Sequence, residues 1–165
     1  MREELDKKLC EAYPLIFAQR NGNMRETCMC WGFCCGDGWY SILDAMCANI
    51  QGHINWRLQQ IESAHKFNAE LEEALVNGFE GWPSWKPREP LDIPEPVEQV
   101  VAIQVKEKFG TLRFYFGGGD AYIDGIISMA ESMSARMCEE CGAPGTSTSG
   151  GWIQTLCEEH KNANS

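Results

Sequence analysis

Val101-Ala102-Ile103-Gln104-Val105-Lys106-Glu107-Lys108-Phe109-Gly110-Thr111-Leu112-Arg113-Phe114-Tyr115-Phe116-Gly117-Gly118-Gly119-Asp120 is the stretch whose reading decides the fold. Val101, Ile103 and Val105 alternate with Ala102 and Gln104, and Leu112, Phe114 and Phe116 alternate with Thr111, Arg113 and Tyr115. A period of two separates the side chains onto the two faces of a strand, so a hairpin is expected with its turn in Lys106 to Gly110. The three glycines end the second strand, and Asp120 supplies the short carboxylate that caps a helix. In that helix, expected to run to about Met137, the residues Ile123, Ile126, Ile127, Ala130 and Met133 or Met137 make one face that can cover the hairpin. A sheet covered by helices in this way is an α+β fold.

Working back along the chain, residues 78–96 hold Pro83, Pro87, Pro90, Pro94 and Pro96 together with Trp82 and Trp85. Proline removes backbone donors and restricts the residue before it, so this is a connector without regular structure. Its tryptophans imply that it packs against something. Upstream of it, Trp39 to Asn77 reads as a long helix or a helical pair, with Leu43, Met46, Cys47, Ile50, Ile54, Leu58 and Ile61 on one stripe. Phe67, Leu71 and Leu75 drift off that stripe. An unbroken helix would be about 58 Å long against the ~30 Å of a small domain, so a break or bend is expected at Gly52 and Asn55 or within Ser63–Asn68. Residues 18–38 form a turn-rich loop, and Leu5, Leu9 and Tyr13 mark a first helix that Pro14 ends. Four regions follow: a mainly helical 1–77 with its cysteine-rich loop, the connector 78–96, a hairpin and helix over 97–137 sharing one core, and a module at 138–165.

With 165 residues, 44 % hydrophobic and 23 % charged, the chain has ordinary globular composition, which excludes global disorder. No stretch has the roughly 18 apolar residues of a membrane span. Met1 to Lys8 lacks the apolar core of a secretion signal, so a cytoplasmic location is expected, with the nine cysteines as reduced thiols or metal ligands. The net charge of −10, from 24 acids against 14 bases, disfavours non-specific nucleic-acid binding and suits partners with basic surfaces.

Cys138-x2-Cys141-x15-Cys157-x2-His160 is the strongest chemical signal. Zinc takes four such ligands in a tetrahedron, and a two-residue gap lets paired side chains converge on one ion. Gly142 suits the tight knuckle, the Gly150-Gly151 pair with Trp152 fits a hairpin, and Thr155 to His160 reads as a strand entering a helical turn. The expected module is treble-clef-like and holds one structural Zn2+, because four protein ligands leave no place for a reacting water. Coordination of this kind is worth about 10–16 kcal/mol in peptides, enough to order a segment too short for its own core. Glu139-Glu140 and Glu158-Glu159 surround the site with carboxylates, so it reads as a staple or protein-binding knob and not as a DNA reader.

Two weaker sets remain. Cys28, Cys30, Cys34 and Cys35, completed by Cys47 or His53, are a candidate second metal site; their spacing matches no common knuckle, and buried free thiols are the alternative. Gly117, Gly118 and Gly119, with Lys106, Lys108 and Arg113, are a candidate ligand or nucleotide site, although Asp120 would occupy the helix start and repel an anion. Of the three histidines, His160 is committed to metal, His65 reads as core and His53 lies on a helix flank without a matched carboxylate. With no H-E-x-x-H, G-x-S-x-G or P-loop, no catalytic residue is nominated and a non-enzymatic protein is expected.

Gly36-Asp37-Gly38-Trp39-Tyr40, Val105 to Tyr115, and Cys138-Glu139-Glu140-Cys141-Gly142-Ala143-Pro144-Gly145 with Gly150-Gly151-Trp152 and Cys157 to His160 resemble a family of small uncharacterised phage and prophage proteins. The resemblance covers most of the chain, residues 78–96 least. It implies a phage protein acting in the cytoplasm of a bacterial host, and it implies no reaction. Together these readings lead to a zinc-stapled acidic protein that binds and inhibits a host factor, such as a component of bacterial anti-phage defence. A small-ligand or nucleotide sequestering protein is the second reading, and a nucleic-acid-binding zinc protein the third, disfavoured by charge. The long helix also admits a homodimer.

Overall fold

The computed structural model describes residues 1–149 and 151–163; Gly150, expected at the turn of the zinc hairpin, lies outside them. In chain order the elements are helix α1 (Glu3–Ala12), strand β1 (Phe33–Cys34), helix α2 (Tyr40–Val76), strands β2 (Val101–Lys108) and β3 (Thr111–Gly117), helix α3 (Ala121–Ser134), strands β4 (Thr146–Ser147) and β5 (Thr155–Leu156), and helix α4 (Glu158–Ala163). Short 3-10 turns occupy Met29–Trp31 and Asp37–Trp39. The α+β class, the long helix, the hairpin with its covering helix and the C-terminal cysteine–histidine module are as the sequence implied. No helix among the described residues is long and apolar enough to cross a membrane.

The chain divides into two compact units, Met1–Gly52 with Glu98–Ser165, and His53–Val97. The division falls inside α2, whereas the sequence reading placed its first boundary at residue 77. In the first unit β1 pairs parallel to β2 and β2 pairs antiparallel to β3, giving the order β1-β2-β3. The hairpin turn is tighter than expected. Lys108 pairs with Thr111, so Phe109 and Gly110 alone make the turn, both with positive φ (54° and 76°).

The strict alternation read for β2 also fails. The register shifts between Ala102 and Gln104, so Ala102 and Val105 are buried while Ile103 faces outward. A bulge inserts one residue and reverses the facing of everything before it. Phe33, Val105, Leu112 and Phe114 then share the buried face. Helix α3 closes the free edge of β3: the Leu112 N–H donates to Ser134 Oγ at 2.8 Å and the Phe114 N–H to Glu131 Oε1 at 2.9 Å. Covering an edge with side-chain acceptors removes its capacity to pair with another chain. Asp120 caps α3 as expected, accepting from the Tyr122 and Ile123 amides at 3.1 Å each.

Helix α2 is continuous over 37 residues, which corrects the expected break at Gly52–Asn55 or Ser63–Asn68. It contains no proline, and each end has its own buried stripe. In the first unit the stripe is Leu43, Met46, Cys47 and Ile50; past the boundary Ile54 is buried and Leu58 is exposed. In the second unit Ala64, Leu71 and Ala74 are buried. There the proline-rich segment packs on the helix: Trp82 meets Phe67 with ring centroids 6.0 Å apart, and Lys86 lies over both rings while its Nζ is 2.6 Å from Glu70. Asn68 pairs with the backbone N–H and C=O of Leu91 at 2.8 and 2.9 Å. His65, read as core, is exposed instead.

Gly52 stays helical because packing on both sides of it outweighs a glycine penalty of about 1 kcal/mol. Nothing lies within 4 Å of where its Cβ would be. Gly52→Ala should therefore stabilise the protein by about 0.5–1 kcal/mol, read as a higher urea midpoint at unchanged slope.

Candidate metal centre

The knuckle Cys138–Cys141 follows α3, and β5 with the first turn of α4 brings Cys157 and His160 to meet it. Cys138 Sγ lies 3.6 Å from His160 Nδ1, Cys157 Sγ lies 3.1 Å from the same nitrogen, and the Cys141 and Cys157 sulfurs are 3.8 Å apart. All four ligand atoms fall within 4.8 Å of one another. A tetrahedral zinc with Zn–S near 2.3 Å and Zn–N near 2.05 Å would have S–S edges of about 3.8 Å and S–N edges of about 3.6 Å. Two of the measured separations equal those values, and the Cys157–His160 edge is shorter. These four side chains could hold a metal ion such as zinc.

Without an ion the local electrostatics favour the thiolate at Cys157 and the protonated forms of His160 and Cys141. The His160 backbone N–H, and then its ring, bring the Cys157 thiol down to about 6. His160 is raised by the same hydrogen bond. The Ala143 backbone N–H favours the Cys141 thiolate, but desolvation and the neighbouring Cys138 and Cys157 sulfurs leave its pKa raised. A cation in their midst would relieve that mutual opposition.

The knuckle is built into the first unit. The Gly38 N–H donates to Glu139 O at 2.7 Å, the Gly36 N–H to Glu139 Oε1 at 2.9 Å, and Trp39 Nε1 to Met137 O at 2.9 Å. Glu139 is buried between the two sides, and that burial raises its pKa. A Cβ at Gly38 would stand 2.2 Å from Cys138 O and 2.4 Å from Gly142 N, and one at Gly36 would stand 2.3 Å from Glu139 O. Gly36-Asp37-Gly38-Trp39 is thus the seat of the knuckle. On its other side Glu139 N–H donates to Thr155 O at 2.9 Å, and the Thr155 hydroxyl donates to Gly110 O at the hairpin turn at 2.6 Å.

No family model, curated protein or solved structure matches this chain.

The other two candidate sets do not assemble. Among the described residues, the C-terminal quartet is the only group of three or more cysteine, histidine or acidic ligands that converges. In the cysteine-rich loop, Cys30 Sγ turns to Thr27 O at 3.1 Å, Cys28 and Cys34 are exposed and Cys35 is buried. An x1 and x3 spacing through a 3-10 turn and a strand splays those sulfurs. Cys35, like Cys10, is pushed up to about 12 by burial, and Cys47 is also raised by burial, so these three are protonated packing thiols at neutral pH. The loop is held by Arg20, which donates to Asp6 at 2.9 Å and to Cys30 O at 3.1 Å.

Gly117–Gly119 is a turn that closes the end of β3. The Gly119 N–H donates to Glu98 O at 3.0 Å, and Asp120 takes the first amides of α3. A Cβ at Gly118 would meet Gln99 O at 2.2 Å, so close backbone approach and positive φ explain the glycine. Lys106, Lys108 and Arg113 lie elsewhere, on the open face of the sheet toward the hairpin tip.

Gly38→Ala should displace the knuckle, lowering stability by about 1–3 kcal/mol and weakening metal retention against a competing chelator. Equal metal retention in the variant would show that the seat does not position the ligands.

Proposed function

We propose that this protein holds one structural zinc through Cys138, Cys141, Cys157 and His160, and acts by binding another protein. Its finer form is a phage protein that binds and inhibits a factor of its bacterial host, such as a component of anti-phage defence. One observation carries the reading: of six tryptophans, Trp31, Trp56, Trp85 and Trp152 are each more than half exposed. Tryptophan is large, amphipathic and stiff, and it dominates the energetics of protein interfaces far beyond its frequency.

The ligand chemistry supports the same reading. Four protein ligands on one zinc leave no position for water or substrate, so the ion would hold structure and would not act as a Lewis acid. Binding of a host factor would be non-catalytic, with affinity carried by aromatic anchors and on-rate shaped by charge.

The test is affinity capture from a bacterial host lysate with the metal-loaded chain, followed by assay of the captured factor's activity with and without it. The expected result is a stoichiometric partner whose activity falls when the chain is bound. Recovery of nothing above background, or a partner whose activity is unchanged, would sink the inhibitory reading.

A further inference from the structure

The turn between β2 and β3 is the unusual feature of the first unit. Two-residue turns with both residues at positive φ ordinarily use Asn-Gly or Asp-Gly, because a β-carbon is strained there. Here Phe109 takes the first place at φ 54° and is 70 % exposed. Burial does not explain an aromatic residue in that conformation, and strain of this kind gathers where a side chain is displayed for use. Beside it stand Trp152, 74 % exposed, and Ile153, 40 % exposed. With Glu107, Lys108 and Gly151 they line a recess of about 250 Å³.

The recess is held from both sides. Thr155 bonds to Gly110 O, and the ends of the loop that carries Trp152 are tied by Thr148, whose N–H donates to Gln154 O at 2.8 Å and whose hydroxyl accepts the Gln154 N–H at 3.0 Å. These bonds tie the backbone on either side of the recess, which lowers the entropy lost when a ligand orders it.

Next to this tip runs a basic strip. Lys106 pairs directly with Arg113 across the strands, Cys34 lies opposite Lys106 on the other side, and Lys108 and Tyr115 continue the same face. Like charges facing each other on adjacent strands are unfavourable without an anion between them. None of the strand residues on that face is acidic. Glu107 is on the opposite face and accepts the Gly110 N–H at 2.6 Å, and Glu131 lies at the β3 edge, 4.0 Å from Arg113. In a chain of net charge −10, three cations gathered on one sheet face are a local inversion of sign.

We infer that the Phe109–Trp152–Ile153 recess and the Lys106–Lys108–Arg113 strip form one docking surface for a short acidic segment of a partner protein, with an apolar anchor residue seated in the recess. This rests on the protein-binding reading above. The range of electrostatics selects the occupant. At physiological salt a charge is felt over about 8 Å, so a short acidic segment laid along the strip is drawn by Lys106, Lys108 and Arg113 together, against Glu131 at the β3 edge and Glu107 in the recess as the nearest opposing acids. A nucleic acid strand is a continuous polyanion that would run on past three cations onto acidic surface, and its binding would be opposed there.

The probe is a displayed library of random short peptides, panned on the full metal-loaded chain, with the selected consensus peptide then measured by fluorescence anisotropy. Enrichment of Asp and Glu around one aromatic or large aliphatic residue is expected. Phe109→Asn suits the turn better than phenylalanine, so the fold and its urea midpoint should hold while peptide affinity falls roughly tenfold or more. Lys106→Glu with Arg113→Glu should do the same, and Val76→Ala should change nothing. Basic or uncharged consensus peptides, no enrichment, unchanged affinity in these variants, or displacement of the peptide by single-stranded oligothymidylate or by a second copy of the chain would each overturn the assignment. A captured host factor that still binds the Phe109→Asn and charge-reversal variants would refute this surface and leave the protein-binding reading standing. Failure of any protein to be captured would refute that reading itself.

Discussion

Everything in the first unit depends on a backbone clasp between the Cys138-Glu139 peptide and the Gly36-Asp37-Gly38 turn at the start of α2. The two chains approach so closely that a β-carbon at Gly38 would stand 2.2 Å from a carbonyl oxygen, and Gly38 N–H and Glu139 O make the hydrogen bond that holds them. Trp39, fully buried, donates to Met137 O and locks the end of α3 to the same place. The knuckle therefore has two sets of neighbours: metal ligands from β5 and α4 on one side, and the beginning of the long helix on the other. A metal ion closing the quartet would reach the core through that clasp and through the Thr155–Gly110 contact at the hairpin turn.

Much of this was legible in the sequence, for identifiable reasons. Period-two patterning located β2 and β3, Asp120 announced the start of α3, and the spacing of Cys138, Cys141, Cys157 and His160 announced the quartet, because each signal is local and its chemistry has few other uses. What failed was non-local. The bulge at Ala102–Gln104 turns Ile103 outward, and nothing in a run of alternating residues marks an inserted one. The unbroken α2 was hidden because Gly52 reads as a breaker until both flanks are known to pack. Gly36 and Gly38 looked like ordinary turn glycines, although their role is to admit another stretch of backbone from more than ninety residues away, as in the Gly36–Glu139 bond at a separation of 103. The cysteine-rich loop stayed open between a metal set and buried thiols, because spacing alone does not fix where the sulfurs point; of Cys28, Cys30, Cys34 and Cys35 only the last is buried.

Charge and aromatic surface are unevenly distributed over the protein. A net charge of −10 describes the chain as a whole, yet the open face of β2 and β3 carries Lys106, Lys108 and Arg113 without an acidic strand residue beside them. The sequence already grouped these three residues; the pairing register adds that they share one face, with Lys106 directly opposite Arg113. The same register places Phe109 at the tip in a left-handed conformation, next to Gly110, whose carbonyl accepts the Thr155 hydroxyl at 2.6 Å. The strand that leads to Cys157 and the turn that carries Phe109 meet through the bond from the Thr155 hydroxyl to Gly110 O.

Hydrogen exchange at the Gly38 amide, followed by NMR in metal-loaded and metal-free protein, tests the central claim most directly. With one zinc bound per chain the amide should exchange slowly, near the global unfolding limit, and removal of the metal should release it to rapid exchange. Protection that is unchanged after the metal is removed would contradict the account, because the clasp would then stand without the ion.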